Sequence, residues 1–488
     1  MIIHNQKLIR ANRLIIMLVA ICLPVIVAAQ QSMMPITTSS DEARSLFMEA
    51  RDKFVNADRD GAAILLKKAM KLDPDFAMAQ LHYAFSVPSA DAYYRNFSKA
   101  LSLIDQISKA EKDFILYFDC WAKEDTLRQR QYLDELLTLY PTDKWILLLA
   151  GSSYLTSLEP AMIYYNKALK LDPDFAPAYY EMALKQMGNG QLDQAEQNIK
   201  MYIKLLPDHP NPYYSYALLL RKMGKTAEAL EQFKLASKKD RNFISSLREA
   251  GHLYCLKGDF ENAYKMYQKY EDNARLSERK TNAMYWQAVA YVYEGNMPKV
   301  LAIYDRYQKF AEREDLGAFR VYSFSDLGDI YTEMGQPAEG MKYYKKAIAL
   351  IGQVDLSDQM RQEFDLEALR WQATELIVQG EFDKAEQLLK KYELALADCQ
   401  YPASNRPLTA TRARLAMAKG DFDAALQLFD ESKMMDPIIA HMQAEIYAKK
   451  GETEKADAIY QKIANWGQNS MKLALVMPRV REKLASQS

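Results

Sequence analysis

Glycine recurs along this chain at a nearly constant interval, and each recurrence has the same neighbourhood. Each of eight glycines is followed five residues later by a small or apolar residue. A period of this size predicts an array of repeated structural units, and no other feature constrains the fold as much. The glycines, at intervals of 34, 34, 37, 40, 45, 40 and 31 residues, are Gly190, Gly224, Gly258, Gly295, Gly335, Gly380, Gly420 and Gly451.

The residues around each glycine have helical spacing. Within each arm, the small and apolar positions are three or four residues apart, which places them on one helix face. Glycine supplies the left-handed backbone that ends a helix, so each unit is predicted to be a helix, a tight turn and an antiparallel helix. Seven residues before the glycines lie Ala183, Ala217, Gly251, Ala288, Gly328, Ala373, Ala413 and Ala444. Nine residues after them lie Ile199, Phe233, Tyr267, Tyr304, Tyr344, Leu389, Phe429 and Tyr460.

A single unit of this kind cannot bury its own apolar face. Two helices joined by a short turn approach closely only where the residue at their crossing is small. Stacked neighbours then bury a continuous core, and stability comes from the array. We therefore predict an all-α protein, an α-solenoid of about twelve helix-turn-helix pairs between residues 43 and 470.

The units resemble tetratricopeptide repeats. The family pattern combines small residues at three helix crossings, an aromatic residue in each helix and a proline that closes the second helix. Residues 176–209 show it best, with Ala183, Gly190, Ala195, Ile199 and Pro207. Looser matches occur earlier, in the strings 66–70, 97–101 and 165–169. The resemblance implies a superhelix whose concave face binds a protein or peptide.

The repeats divide the chain into five segments. Residues 351–362 and 398–407 are expected to be long loops between repeats, and Pro478 is expected to end or kink a terminal helix that Ser470 caps. The predicted segments are a signal peptide (1–29), a flexible leader (30–42), divergent repeats (43–175), the main array (176–470) and a C-terminal capping helix with its tail (471–488).

The first 29 residues differ from the rest of the chain. Lys7, Arg10 and Arg13 precede an uncharged apolar run over 14–29 that ends in small residues. This order is typical of a secretory signal peptide, and we expect cleavage after Ala29 and a periplasmic or secreted protein. The alternative is an inner-membrane anchor formed by residues 14–29. No later segment is apolar enough to be an integral membrane span.

Charge argues against nucleic acid as a partner. The chain has 63 basic and 64 acidic residues, and the signal segment carries three basic residues and no acidic one. The mature protein is then slightly acidic, which does not suit a phosphate backbone.

The sequence contains no recognisable catalytic or metal-binding pattern. The mature histidines are His82, His209, His252 and His441, and none has a second ligand at zinc spacing. Gly335 to Met341 lacks the Gly-Lys-Ser/Thr ending of a phosphate loop. We expect no cofactor, no metal and no enzymatic activity.

The resemblance also implies where a partner binds. In the family, groove contacts fall at offsets that lie ten, nine and six residues before each turn glycine here. Exposed Trp, Tyr and Arg dominate protein interfaces, so a mixed aromatic and cationic groove is expected. The candidate residues are Tyr180, Tyr214, Arg248, His252, Tyr285, Trp286, Asp326, Asp329, Arg370 and Trp371.

Three alternatives stay open. Any one of the aromatic candidates could belong to the solenoid core, because buried aromatics are common in repeats. The chain could be an outer-membrane nutrient-binding protein of the starch-binding type, although it lacks that type's lipid-anchor cysteine. It could also be a hydrolase or transferase, which a pocket with converging carboxylates would favour.

Overall fold

The protein is helical throughout the part described by the structure, a computed structural model. The described residues are 33–154, 157–399, 404–433 and 436–486. They form 25 α-helices, and none of them lies in a strand. The helices make twelve antiparallel pairs and one terminal helix, which confirms the predicted α-solenoid. The predicted signal peptide lies outside the described residues.

We number the helices in chain order, so that pair 1 contains α1 and α2, pair 2 contains α3 and α4, and so on. Pairs 1–4 are α1 (Asp41–Val55), α2 (Arg59–Leu72), α3 (Ala77–Ser86), α4 (Ala90–Ser102), α5 (Lys109–Ala122), α6 (Thr126–Leu139), α7 (Lys144–Ser153) and α8 (Leu158–Leu171). Pairs 5–8 are α9 (Ala176–Gly188), α10 (Leu192–Leu205), α11 (Pro210–Lys222), α12 (Thr226–Lys239), α13 (Ser245–Lys257), α14 (Phe260–Asn273), α15 (Ser277–Tyr293) and α16 (Met297–Arg313). Pairs 9–12 and the terminal helix are α17 (Gly317–Glu333), α18 (Pro337–Ile351), α19 (Asp358–Val378), α20 (Phe382–Ala397), α21 (Arg406–Lys419), α22 (Phe422–Ser432), α23 (Pro437–Lys449), α24 (Thr453–Ala464) and α25 (Met471–Ala485).

The recurring glycines lie in the turns inside pairs 5–12. All eight have positive φ, between 67° and 83°. Side chains other than glycine adopt this left-handed conformation at a cost, which explains why glycine recurs at the helix end. The structure therefore confirms the predicted turn.

The helix crossings are as tight as the small residues suggest. A Cβ atom on Gly251 would lie 2.4 Å from the ring of Tyr267, and one on Gly328 would lie 2.4 Å from the ring of Tyr344. Both tyrosines come from the second helix of the same pair and are buried. In these pairs the first helix has no side chain at the crossing, and the tyrosine ring occupies that space.

Pairs 1 and 3 make the same turn without glycine. Ala57 has φ of 62° and Glu124 has φ of 57°. Each lies between the two helices of its pair, next to an aspartate that caps the second helix, Asp58 or Asp125. A left-handed residue is therefore retained at these turns although the glycine is not.

Two predicted irregular segments are more ordered than expected. The loop expected over 351–362 covers only residues 352–357, because α19 begins at Asp358 and extends for 21 residues. The described part of the leader, residues 33–40, is extended and bound to the array, and α1 begins at Asp41. Met34 N donates to Asp143 at 2.8 Å, and Ser39 N donates to Asp73 at 2.8 Å. These hydrogen bonds attach the described part of the leader to the residues that precede pairs 2 and 4 of the array.

The array curves back on itself, so that its first two pairs contact much later ones. Arg279 at the start of pair 8 forms an ion pair with Asp60 of α2, with Nε and Oδ1 2.8 Å apart. Asn56 accepts a hydrogen bond from the Tyr202 hydroxyl of pair 5 at 3.1 Å. The Ser357 amide N, just before pair 10, donates to Asp91 of pair 2 at 2.6 Å.

The terminal helix α25 packs against two distant parts of the array. It contacts α15 of pair 8 as well as both helices of pair 12. Ser470 caps it as predicted, and its buried residues include Leu473, Val476 and Val480. Pro478 was expected to end or kink this helix; it does not end it, because α25 continues through it to Ala485, and the kink stays a prediction. Within the described ranges, no helix is both long and apolar enough to cross a bilayer.

Candidate functional site

A concavity lies between α25 and the first helices of the last five pairs. It is a cavity of about 300 Å³, and we call it the C-terminal cavity. Because the first helices of consecutive pairs line it, it lies on the face where the family resemblance placed a partner. Its lining residues include Tyr285, Asp326, Asp329, Glu333, Glu367, Arg370, Thr374, Ala410, Thr411, Arg414, Asp436, Ile438, Ile439, Met471, Lys472 and Leu475.

The C-terminal cavity contains five acidic and three basic side chains. Each basic group already has a carboxylate partner. These ion pairs are Arg370 with Glu367 at 2.6 Å, Arg414 with Glu333 at 2.8 Å, and Lys472 with Asp436 at 2.9 Å. Within each pair the two opposite charges neutralise each other. Two of the five carboxylates of the lining therefore lie outside these ion pairs.

The two remaining carboxylates are Asp326 and Asp329 on α17. Asp326 accepts a hydrogen bond from the Tyr304 hydroxyl at 3.1 Å, and Asp329 accepts one from the Tyr344 hydroxyl. Burial, and after it the negative charge of Asp329, raises the pKa of Asp326 to about 7. Asp326 is therefore only partly ionised near neutral pH.

The positive charge of Arg370 partly offsets the negative charge of Asp329. Burial lowers the pKa of its guanidinium, but the charges of Glu367 and then Asp329 outweigh burial and raise it. Its hydrogen bonds, however, go to Glu367, at 2.8 and 2.6 Å. Among the described residues, Asp326 and Asp329 form no ion pair, so the cavity keeps an excess of negative charge.

The structure brings four of the ten predicted groove residues together. Tyr285, Asp326, Asp329 and Arg370 all line the C-terminal cavity. Burial, followed by the two aspartate charges, raises the pKa of the Tyr285 hydroxyl, which keeps it protonated. The expected cationic character is not found here, since Arg370 is ion-paired and the net charge of the lining is negative.

The two predicted tryptophans are packing residues. Trp371 is 2% exposed and stacks on Tyr344 with ring centroids 5.5 Å apart, so its assignment to an exposed groove is wrong. Trp286 packs against His252 at 4.1 Å, and its Nε1 donates to Asn282. The alternative that aromatics serve the core holds for Trp371.

His252 is likewise a structural residue. It is 7% exposed, and its Nδ1 lies 2.8 Å from the Tyr267 hydroxyl and 3.2 Å from Nδ2 of Asn469. Burial lowers its pKa to about 4, so the ring is neutral. The hydrogen-bonded cluster of His252, Tyr267 and Asn469 connects pair 7 to the segment that precedes α25.

The other predicted groove residues face neighbouring parts of the chain. Tyr180 packs on Tyr202, and Tyr214 packs on Phe233 and Phe243. Arg248 forms an ion pair with Glu249 at 3.0 Å, and Arg221 lies 2.6 Å from the same carboxylate. The guanidinium of Arg248 is therefore engaged within the array, and the rings of Tyr180 and Tyr214 pack on neighbouring aromatic rings.

Several residues of the cavity were not among the ten candidates. Thr374 and Arg414 lie six residues before their turn glycines, the offset that also selects His252 and Asp329. The offset rule therefore includes both residues, although they were not chosen as candidates. Lys472 and Leu475 belong to α25, which lies outside the repeat register, so no repeat signal marks them.

Two segments of the chain match sequence models of a known family. Residues 164–197 and residues 322–353 each match a tetratricopeptide repeat. Among curated proteins, the chain is similar to anaphase-promoting complex subunit 3 of Schizosaccharomyces pombe, with 22% identity over 213 residues. The alignment covers 44% of this chain but only 31% of that relative's length.

Three solved structures are also similar to the chain, all at low identity. Yeast Tom70 matches at 17% identity with a TM-score of 0.40, covering 91% of this chain and 99% of that one. Cut9–Hcn1 of the anaphase-promoting complex matches at 14% identity and a TM-score of 0.39, covering 92% and 79%. YrrB, described as a TPR protein with an unusual peptide-binding site, matches at 19% identity and a TM-score of 0.26, covering 36% and 91%.

Proposed function

Because the chain is a tetratricopeptide-repeat protein, we propose that it is a non-catalytic scaffold that binds a segment of another protein in its concave groove. The observation that carries this proposal is the C-terminal cavity. First helices from five consecutive pairs contribute to it, and α25 closes one side. A concave site with a few convergent polar groups is the usual form of a binding pocket.

The composition of the lining supports binding of a peptide segment. Ile438, Ile439 and Leu475 provide apolar contact area, while Thr374 and Arg414 provide polar groups. The surrounding ion pairs hold the charged side chains in place before a partner arrives. A preorganised site loses less side-chain entropy on binding.

Site-specific crosslinking tests this proposal. A photo-crosslinking amino acid at Thr374, in the cavity, is expected to capture peptides selected from a random display library. The matched control is the same crosslinker at Lys390, an exposed position on the second helix of pair 10. Capture at Lys390 and not at Thr374 would place binding on the outer face and contradict the proposal.

One observation favours catalysis as a second candidate function. Asp326 and Asp329 converge on the cavity, and the raised pKa of Asp326 makes it a possible proton donor at neutral pH. Incubation of the protein with peptide and glycoside panels, followed by mass spectrometry, tests this candidate. Product that forms with the wild type and not with Asp326→Asn would establish catalysis.

For location, we propose export from the cytoplasm to a bacterial cell envelope. The support is the order of charged, apolar and small residues over 1–29. Expression in a Gram-negative host, followed by cell fractionation and mass spectrometry, is expected to give a periplasmic or secreted chain that begins at Gln30. A full-length chain in the inner membrane would favour the anchor alternative.

A further inference from the structure

We propose that the C-terminal cavity binds a cationic group on an aliphatic stem, such as the side chain of a lysine or arginine in the partner. The proposal rests on the proposed function, because it names the chemistry of the segment that the groove receives. It commits to a basic partner residue on the grounds of charge complementarity.

The distribution of charge around the cavity is the first argument. The three basic groups of the lining are each engaged by a carboxylate at 2.6 to 2.9 Å. Asp326 and Asp329 have only tyrosine hydroxyls as hydrogen-bond partners among the described residues. A cation entering the cavity meets Asp329 and the partly ionised Asp326 without displacing an existing ion pair. An anion meets the same two carboxylates and is repelled.

The shape of the cavity is the second argument. Its volume of about 300 Å³ is at the lower end of the range for ligand pockets, so it suits one long side chain better than a bulky group. The lining combines the apolar side chains of Ala410, Ile438 and Leu475 with the carboxyl groups of Asp326 and Asp329 on α17. Lysine and arginine have this combination of an apolar stem and a charged end.

A third argument comes from the extended segment over residues 33–40. Carboxylates of the array bind this segment through donors on its backbone and side chains. Thr37 donates to Glu111 from both its amide, at 2.6 Å, and its hydroxyl, at 2.5 Å. Thr38 Oγ1 donates to Asp73 at 2.5 Å. The same array therefore already binds one extended segment by presenting acceptors to its donors.

Peptide binding measured by fluorescence anisotropy tests the inference on the full mature chain. The probes are labelled Gly/Ser hexapeptides with one central Arg, Lys, citrulline or Glu, together with unlabelled free arginine as a competitor. Citrulline keeps the stem and shape of arginine but removes the charge. Binding of the Arg and Lys peptides is expected to be at least tenfold tighter than binding of the citrulline peptide, with the Glu peptide weakest.

Two cavity variants and one control test the site. Asp326→Asn and Asp329→Asn preserve side-chain size and are each expected to weaken Arg-peptide binding at least tenfold. Asp193→Asn, at an exposed position on α10, removes the same charge outside the cavity and is expected to change nothing. Circular dichroism of each variant verifies that the array is folded.

The possible outcomes separate the inference from the proposed function. Equal binding of the Arg and citrulline peptides, or unchanged binding in both cavity variants, overturns the inference and leaves the scaffold function standing. Free arginine competing as strongly as the Arg peptide supports the cationic site but contradicts peptide binding. Absence of binding to every probe, in a protein that also fails the crosslinking test, overturns both.

Discussion

Single residues in the turns determine how sharply each pair folds back. Eight turns have glycine at positive φ. The sequence predicted these turns because glycine adopts the left-handed conformation at the lowest energetic cost. Ala57 and Glu124 occupy the same backbone region without that advantage. The sequence could not reveal these two turns, since neither residue type signals a left-handed conformation.

Replacement of Glu124 by glycine is expected to stabilise the protein. A non-glycine residue in the left-handed region costs roughly 1–2 kcal/mol, part of which is offset by the greater freedom of glycine in the unfolded chain. We expect Glu124→Gly to raise the free energy of unfolding by about 1 kcal/mol, measured by urea denaturation. Gly224→Ala, with φ of 78° at its turn, is the reverse experiment and should lower it.

The charge state of Asp326 gives a pH-dependent prediction. Its pKa is raised to about 7 in the folded protein, against about 3.9 for an unperturbed aspartate. Between these values the folded state binds a proton that the unfolded state does not, so the contribution of Asp326 to stability falls as pH rises. Asparagine does not ionise, so the Asp326→Asn variant does not lose this stability as pH rises.

We therefore expect Asp326→Asn to stabilise the protein more at pH 8 than at pH 5, by on the order of 2 kcal/mol in urea denaturation. The pKa values of His82, His252 and His441 are lowered by burial, but these residues are present in both proteins and cancel in the comparison. A difference between variant and wild type that is the same at both pH values would contradict the prediction.

At the scale of helices, the crossing between the two members of a pair is the repeated contact. Where the second helix carries Tyr267 or Tyr344, the opposing residue of the first helix is glycine. The sequence predicted the small residue and the large one at their correct positions. Their direct contact follows only from the structure, because spacing along a helix gives a face and not a partner.

Gly251→Ala is expected to destabilise pair 7. The new Cβ would lie 2.4 Å from the Tyr267 ring, and overpacking of this kind costs roughly 1–3 kcal/mol. Gly188→Ala is the matched control, because Gly188 is an exposed helical residue with nothing within 4 Å of its added Cβ. It should raise the melting temperature slightly through helix propensity. Similar melting temperatures for the two variants would argue against the tight crossing.

The terminal helix shows the limits of sequence reading at this scale. Ser470 and the apolar spacing of α25 predicted a helix correctly, but the helix continues through Pro478, which was expected to end or kink it. A capping role at the end of the stack was the natural expectation. Its contact with α15, about 180 residues earlier, depends on the curvature of the whole array, which no local pattern encodes.

At the scale of the molecule, contacts between the first and later pairs define the curvature. Arg279 and Asp60 are 219 residues apart in sequence, and their side chains are 16% and 8% exposed. Such a pair is shielded from solvent, so removal of one partner leaves a buried charge, which costs roughly 3–5 kcal/mol. Because the contact joins two parts of the array that are distant in sequence, we expect it to influence shape as well as stability.

Arg279→Ala is expected to open the curve and increase the radius of gyration in small-angle X-ray scattering. The matched control is Arg313→Ala, since Arg313 is 69% exposed and its ion pair is with the adjacent Glu314. That variant should scatter like the wild type. Identical scattering from all three proteins would show that the Arg279–Asp60 contact does not hold the curvature.

The return of the array onto its first pairs also affects how the protein denatures. In an open solenoid each unit touches only its neighbours, so the ends can unravel while the middle stays folded. Here Asn56 and Asp60 of pair 1 are tied to pairs 5 and 8, and the last helix is tied to pair 8. Within the described residues, pair 1 and the last helix are both bound to the middle of the array, so melting is not expected to begin independently at either of them. We therefore expect heat or denaturant to unfold the array in a single cooperative transition.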